Sequence, residues 1–201
     1  MDDHERAAVR EDVLSHAQSV FADIEDRWGE VDTRAEPLIV DTFPDDDDSF
    51  PASAEEYIKR FYPYAAGAVV TNDEGRLLCI YSPLREEWET PGGAGEPDET
   101  PAETARRETR EESGIEVEIT GVLLTRSMEV RLNAPETLPI PVAVFTARRT
   151  GGDELAGVPL EENDEVTDIA WFGPDDLPTD LRGYEWKHAH LESLADPANS
   201  T

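Results

Sequence analysis

Seven residues between Gly93 and Gly114 stand at spacings that chemistry could use. Gly93 is followed after five residues by Glu99, and after seven more by Arg107-Glu108; Glu111-Glu112 and Gly114 complete the set. In a helix over Pro101–Ser113, Glu108 lies one turn before Glu111 and Glu112, so three carboxylates share a face. Carboxylates gathered in this way repel one another unless a cation sits among them. Hard oxygen donors suit Mg²⁺ or Mn²⁺, ions that also bind phosphate oxygens. Ahead of them, Pro91-Gly92-Gly93 can bring the backbone against a ligand, because glycine carries no side chain. A metal-bound water beside a spare carboxylate is equipment for attack on phosphorus. With 27 Glu in 201 residues, a carboxylate triplet alone is the ordinary look of a solvated helix face. The whole spacing is rarer: residue frequencies give it a chance of roughly one in 10⁵ of arising anywhere in the chain.

This segment resembles the Nudix box, Gly-x5-Glu-x7-Arg-Glu-U-x-Glu-Glu-x-Gly-U, in which U is a bulky aliphatic residue. All seven fixed positions match and Ile115 fills the last U, whereas Thr109 stands where the first U belongs. The likeness extends over about residues 63–182, taking in Trp88-Glu89-Thr90-Pro91-Gly92-Gly93 and the later Glu165…Ala170-Trp171-Phe172. It implies an α/β fold, an α/β/α sandwich with a mixed sheet, in which the box forms loop, helix and loop. It further implies metal-dependent hydrolysis of the diphosphate linkage in a nucleoside diphosphate joined to another group. By the same resemblance Glu111 and Glu112 are the main metal ligands, and Glu108 is the base or a further ligand. The carbonyl of Gly92 is a backbone ligand, and Glu165, on a later acidic loop, is the distal one. Arg107 and Glu99 form a structural salt bridge within the box.

Outside the box the residues say less about substrate. Val130 stands where ADP-ribose-specific relatives often carry proline, and no tyrosine lies between Tyr81 and Tyr184. A nucleoside triphosphate or a nucleotide sugar remains as substrate. Two other readings stand beside the hydrolase: a non-catalytic nucleotide-sensing module of the same fold, and an isoprenoid diphosphate isomerase. His188 and His190, two apart on a helix, face different ways and make a poor ligand pair. Trp88 and Trp171 read as core or cleft-wall aromatics, and Cys79, in an apolar strand, as a buried small hydrophobe.

These residues need elements to hold them. Residues Arg6–Trp28 carry Val9, Val13, Ala17, Val20, Phe21, Ile24 and Trp28 at helical spacing, and Gly29 ends the run. Leu38-Ile39-Val40 reads as a short strand, and Ser53 with Glu56 caps a helix over Ala54–Phe61. From Tyr64 the pattern turns to strands, Ala65–Thr71 and Arg76–Ser82 around Asn72-Asp73-Glu74-Gly75. Ile115–Thr125, Pro139–Arg148 and Val166–Phe172 follow as strands, then a helix around Glu185–Leu194. The expected organisation is a mainly helical N-terminal extension (1–62) packed on a main domain (63–182), with a C-terminal helix and tail (183–201).

The charge is extreme, with 47 Asp+Glu against 17 Lys+Arg and a net −30. Such a chain offers no cationic groove for a nucleic-acid duplex and nothing for an anionic membrane surface. No apolar run approaches the roughly 20 residues of a membrane-spanning helix. A single cysteine and an acidic start without an apolar leader point to a cytoplasmic protein, with a homodimer open to it. The acidic excess spreads along the whole sequence, and Lys59 and Lys187 are the only lysines. This composition resembles that of haloarchaeal proteins, which work in molar salt. At about 1 M salt the Debye length falls to about 3 Å, and self-repulsion fades. The melting temperature at fixed Mg²⁺ is therefore expected to rise by several degrees between about 0.1 and about 2 M KCl; a flat profile would refute the halophilic reading.

Overall fold

The computed structural model describes residues 1–42, 47–151 and 166–195. Among these residues, four helices, α1 (Asp3–Trp28), α2 (Ala54–Phe61), α3 (Pro101–Ser113) and α4 (Tyr184–Ala195), are interspersed with eight strands. The strands are β1 (Thr33–Asp41), β2 (Ala65–Thr71), β3 (Leu77–Ser82), β4 (Glu87–Glu89), β5 (Gly92–Ala94), β6 (Val117–Arg131), β7 (Thr137–Arg149) and β8 (Asp168–Phe172). Their hydrogen-bonded order is β1-β6-β7-β2-β3-β4, with β5 beside β2 and β8 beside β3. The sheet is mixed: β1 runs parallel to β6, while β3 is antiparallel to β2, β4 and β8. The residues cluster into two compact units, one of Met1–Ala66, Ala94–Pro101 and Val122–Val144, the other of Gly67–Gly93, Ala102–Gly121 and Phe145–Thr201.

In the first unit α1 begins earlier than its apolar stripe does. Asp2 caps it, accepting from the backbone N–H of His4 and Glu5, while the Glu5 carboxylate accepts from Asp2 N–H at 2.8 Å. This reciprocal capping box satisfies donors that a helix start otherwise leaves to water. Val9, Val13, Ala17 and Ile24 are buried, and Gly29 closes the helix at φ +85°. Val9 and Val13 meet Tyr57 of α2 and Val130, Leu132, Leu138 and Ile140 of the β6–β7 hairpin in one apolar cluster. Tyr57 also donates its hydroxyl to the Leu138 carbonyl at 2.9 Å. Ser53 accepts from Glu56 N–H at 3.1 Å, as the capping signature requires. Strand β1 is longer than its apolar core Leu38–Val40 suggests, because pairing with β6 rather than burial defines it; a register shift separates Arg34 from Leu38.

In the second unit β3 is nearly all buried, with Leu77, Leu78, Cys79 and Ile80 at 1% exposure or less. The turn before it is built by Asn72, whose side-chain oxygen accepts from the backbone N–H of Glu74 and Arg76 at 3.0 and 2.9 Å. Gly75 follows at φ +72°, a conformation that glycine adopts without strain. Strand β8 lies along the other side of β3, from Leu77↔Phe172 to Tyr81↔Asp168. Trp88 packs edge-on against both Tyr81 and Phe172, with centroids 5.5 and 5.0 Å apart.

Lys187 on α4 is buried at 3% exposure, donates to the Arg182 carbonyl at 2.7 Å and lies over the Trp186 ring. Desolvation lowers its amine from the ordinary 10.5 to about 8, and burial raises the Cys79 thiol from 9.0 to about 12. Between pH 8 and 10.5 the unfolded chain keeps a proton on Lys187 that the folded chain has lost, so stability rises with pH there. Below pH 8 the burial costs ~3 kcal/mol in full. The thiol acts oppositely from pH 9 upward, where the unfolded chain ionises first. The midpoint of urea unfolding is thus expected to climb between about pH 7.5 and about pH 9, and Lys187→Met should abolish that climb. A wild-type midpoint that falls across this range would contradict the assignment.

Candidate active site

Helix α3 forms over the residues that its capping signals mark, with Pro101 at its start and Gly114 at φ +71° just past its end. The Gly114 N–H donates to the Arg110 carbonyl at 2.8 Å, closing the last turn. Ala102, Ala105, Thr109 and Ser113 are buried along one face. Thr109, the departure from an aliphatic residue, costs little there, since its hydroxyl donates to the Ala105 carbonyl one turn back at 2.7 Å. The Ser113 hydroxyl does the same toward the Thr109 carbonyl.

The face beside it carries Glu108, Glu111 and Glu112, and the backbone of β5 comes to it. Gly92 donates its N–H to Glu112 Oε2 at 2.8 Å. Gly93 lies against Glu108: a Cβ built on it would stand 2.6 Å from the Glu108 carboxyl carbon and Oε1. Arg107 places one nitrogen 2.8 Å from Glu108 Oε1 and 2.9 Å from Glu111 Oε2, so a single guanidinium neutralises both carboxylates. Glu108 is mostly shielded, with 14% of its side chain exposed, whereas Glu111 is half open at 51%. Pro91 is fixed in turn, its carbonyl accepting from Ala68 N–H at 3.0 Å and lying 2.6 Å from where a Cβ on Gly67 would be.

Of the residues expected to act together, Gly92, Arg107, Glu108, Glu111 and Glu112 are joined by these contacts. The Glu99 carbonyl accepts the Tyr64 hydroxyl at 2.7 Å, and its carboxylate faces Glu96 N–H at 3.4 Å. Glu165 and the acidic run Glu161–Asp164 lie outside the described residues. No three His, Cys, Asp or Glu side chains among the described residues enclose an ion as they stand. The donor set is nevertheless that of a hard cation, three carboxylates beside a glycine backbone, and Arg107 holds two of them together by its charge.

The remaining candidates lie elsewhere. His188 meets Glu192 at 3.4 Å and stacks on Tyr184, while burial lowers the pKa of His190. The Cys79 thiol is wholly buried and raised to about 12, so it stays protonated and cannot serve as a thiolate nucleophile. The indole N–H of Trp171 is buried without a hydrogen-bond partner among the described residues. Lys187 gave no signal in the sequence, because one lysine in a helix reads as solvent-facing by default.

The sequence profile described as NUDIX domain matches residues 61–194, more than half of the chain. The chain belongs to the Nudix family. Helix α1 precedes the matched region. A MutT-like protein of Streptomyces ambofaciens is 34% identical over 56% of this chain and 65% of its own length. An RNA pyrophosphohydrolase of Erythrobacter litoralis is 30% identical over 58% of this chain and 79% of its own. The human 8-oxo-dGDP phosphatase is 32% identical over 70% of this chain but only 42% of its own length. Among solved structures, a Nudix hydrolase from Nitrosomonas europaea superposes at a TM-score of 0.52 with 24% identity, covering 66% of this chain and 71% of that one. This likeness bears on the fold, a Nudix fold with a mixed sheet and helices.

Two glycines of the Nudix domain separate site from scaffold. A methyl on Gly93 meets the movable end of Glu108, whereas one on Gly67 meets the Pro91 backbone. Gly93→Ala is expected to keep its unfolding midpoint while losing at least about tenfold in turnover, since a carboxylate shifted by about 1 Å loses its alignment. Gly67→Ala should instead lose about 1–3 kcal/mol of stability, read by denaturant unfolding.

Proposed function

We propose that this chain is a metal-dependent hydrolase that cleaves the diphosphate linkage of a nucleotide, either a nucleoside triphosphate or a nucleotide sugar. The observation that carries the reading is the convergence of Glu108 and Glu112 of α3 on the Gly92–Gly93 backbone, with Glu111 on the same helix face. The names of the relatives, an RNA pyrophosphohydrolase and an 8-oxo-dGDP phosphatase, support a nucleotide diphosphate as the bond attacked. Nudix hydrolases generally use a divalent metal. Glu111, Glu112 and the Gly92 carbonyl would hold Mg²⁺ or Mn²⁺, with Glu108 as a further ligand or base and Glu165 as the distal ligand. The ion would supply Lewis-acid stabilisation of charge growing on the phosphoryl oxygens.

Glu108 has the surroundings of a base. Its carboxylate is largely shielded, rests on Gly93 and is oriented by Arg107. In this reading it accepts a proton from the attacking water, whose oxygen bonds to phosphorus as the bridging P–O bond breaks. Two phosphate-ended products leave. Arg107 must release Glu111 for it to serve a cation, and the exposure of Glu111 leaves its side chain room to turn. The burial of Cys79 speaks against the isomerase reading, which would have used a reactive thiol. The protein would work in the cytoplasm of a salt-accumulating cell.

The test is isosteric. Glu111→Gln and Glu112→Gln remove charge at nearly constant shape, and each is expected to lower turnover about 10²-fold or more with the fold retained by circular dichroism. Monophosphate release from a panel of nucleotides in Mg²⁺ and molar KCl provides the readout. Near-normal turnover in both variants would remove these glutamates from the site.

A further inference from the structure

The two flanks of α3 carry opposite charge. At about 100° per residue, Glu108, Glu111 and Glu112 fall on one flank of the buried stripe, and Arg106, Arg107 and Arg110 on the other. The arginine flank borders a concavity of about 130 Å³ lined by Glu103, Arg106, Arg107, Arg110 and Glu116. Of its three arginines Arg107 is bound to Glu108 and Glu111, which leaves Arg106 and Arg110 to face the concavity with Glu103 and Glu116 in a chain with 17 cations to 47 carboxylates. Arg106 and Arg110 are one turn apart, where like charges destabilise a helix. Arg110 approaches Glu111 only at 4.0 Å with both side chains more than half exposed, and Arg106 makes no ion pair among the described residues.

We propose that this concavity binds a phosphate group, free or as a monoester, apart from the carboxylate face of α3. At about 130 Å³ it is well above the ~10–15 Å³ that one water needs, with room for one phosphate. Guanidinium forks pair two N–H groups with two phosphate oxygens, so Arg106 and Arg110, side by side, suit a tetrahedral dianion better than a halide. Direct contact is what such a site has to offer in salt: at about 1 M the screening length of ~3 Å leaves little long-range attraction. Arg107 reaches both this rim and the pair Glu108 and Glu111, so the bound anion would sit beside the residue that neutralises those carboxylates.

Titration calorimetry of the full chain in KCl without divalent metal tests this, with inorganic phosphate and a nucleoside monophosphate as probes. Because no metal is present and no turnover is read, a failure of the hydrolase reading leaves the experiment intact. One saturable site is expected. Binding of both probes assigns it to the phosphate group whatever that group is attached to, and binding of inorganic phosphate alone assigns it to the free anion. The double variant Arg106→Gln/Arg110→Gln should bind at least about tenfold more weakly, with unchanged circular dichroism, and Arg106→Gln alone should show part of the loss. Absence of saturable phosphate binding to the wild type, or equal binding by the double variant, would overturn the proposal.

Discussion

Three glutamates within five residues of one helix are held at close quarters, and the local structure is arranged around their mutual repulsion. Glu108 and Glu111 share the Arg107 guanidinium, and Glu112 takes the Gly92 N–H. Each partner is strong because a full charge meets a donor at 2.8–2.9 Å, the range of charge-assisted hydrogen bonds. The close approach of β5 serves the same end. Only a residue without a side chain allows the Glu108 carboxylate to lie on the strand, and Gly93 is that residue.

That arrangement needs a rigid base, and the second unit supplies it. Pro91 is pinned by Ala68 N–H against Gly67, and β3 behind it is buried over most of its length. The buried side of α3 is made of small residues, two alanines, two threonines and a serine, and the hydroxyls of Thr109 and Ser113 bond back to the helix's own carbonyls. Small side chains let the helix lie close to its neighbours, and satisfied hydroxyls carry no desolvation penalty. Lys187 is a different case: its charge is tolerated near Glu87 and Glu89 at a cost in stability, with one carbonyl as its hydrogen-bond partner.

The strongly acidic surface gives the few cations unusual meaning. Most arginines are in ion pairs with nearby carboxylates, as Arg131 with Asp41 and Arg148 with Glu118 are on the surface. Such exposed pairs contribute little individually, on the order of 0–1 kcal/mol. On the outer flank of α3 the pairing is looser, since Arg110 comes no nearer to Glu111 than 4.0 Å.

Local order was legible in the residues. The bounds of α2 and α3 follow from Ser53, Pro101 and Gly114, the α1 stripe from apolar spacing, and the β2–β3 turn from Asn72 and Gly75. Capping and turn chemistry act over three or four residues, so the sequence carries them whole. The box spacing likewise placed three carboxylates on one face, because 3.6 residues per turn is a property of any helix. What the chain order could not reveal is what meets that face. Glu112 finds Gly92 twenty residues away, and Glu108 rests on Gly93. Strand β1 owes its extent to pairing with β6. The burial of Lys187, and its fall to about 8, depend on α4 packing within the second unit. Helical spacing is determined by neighbouring residues, whereas burial, desolvation and charge pairing between distant residues exist only once the chain has folded back on itself.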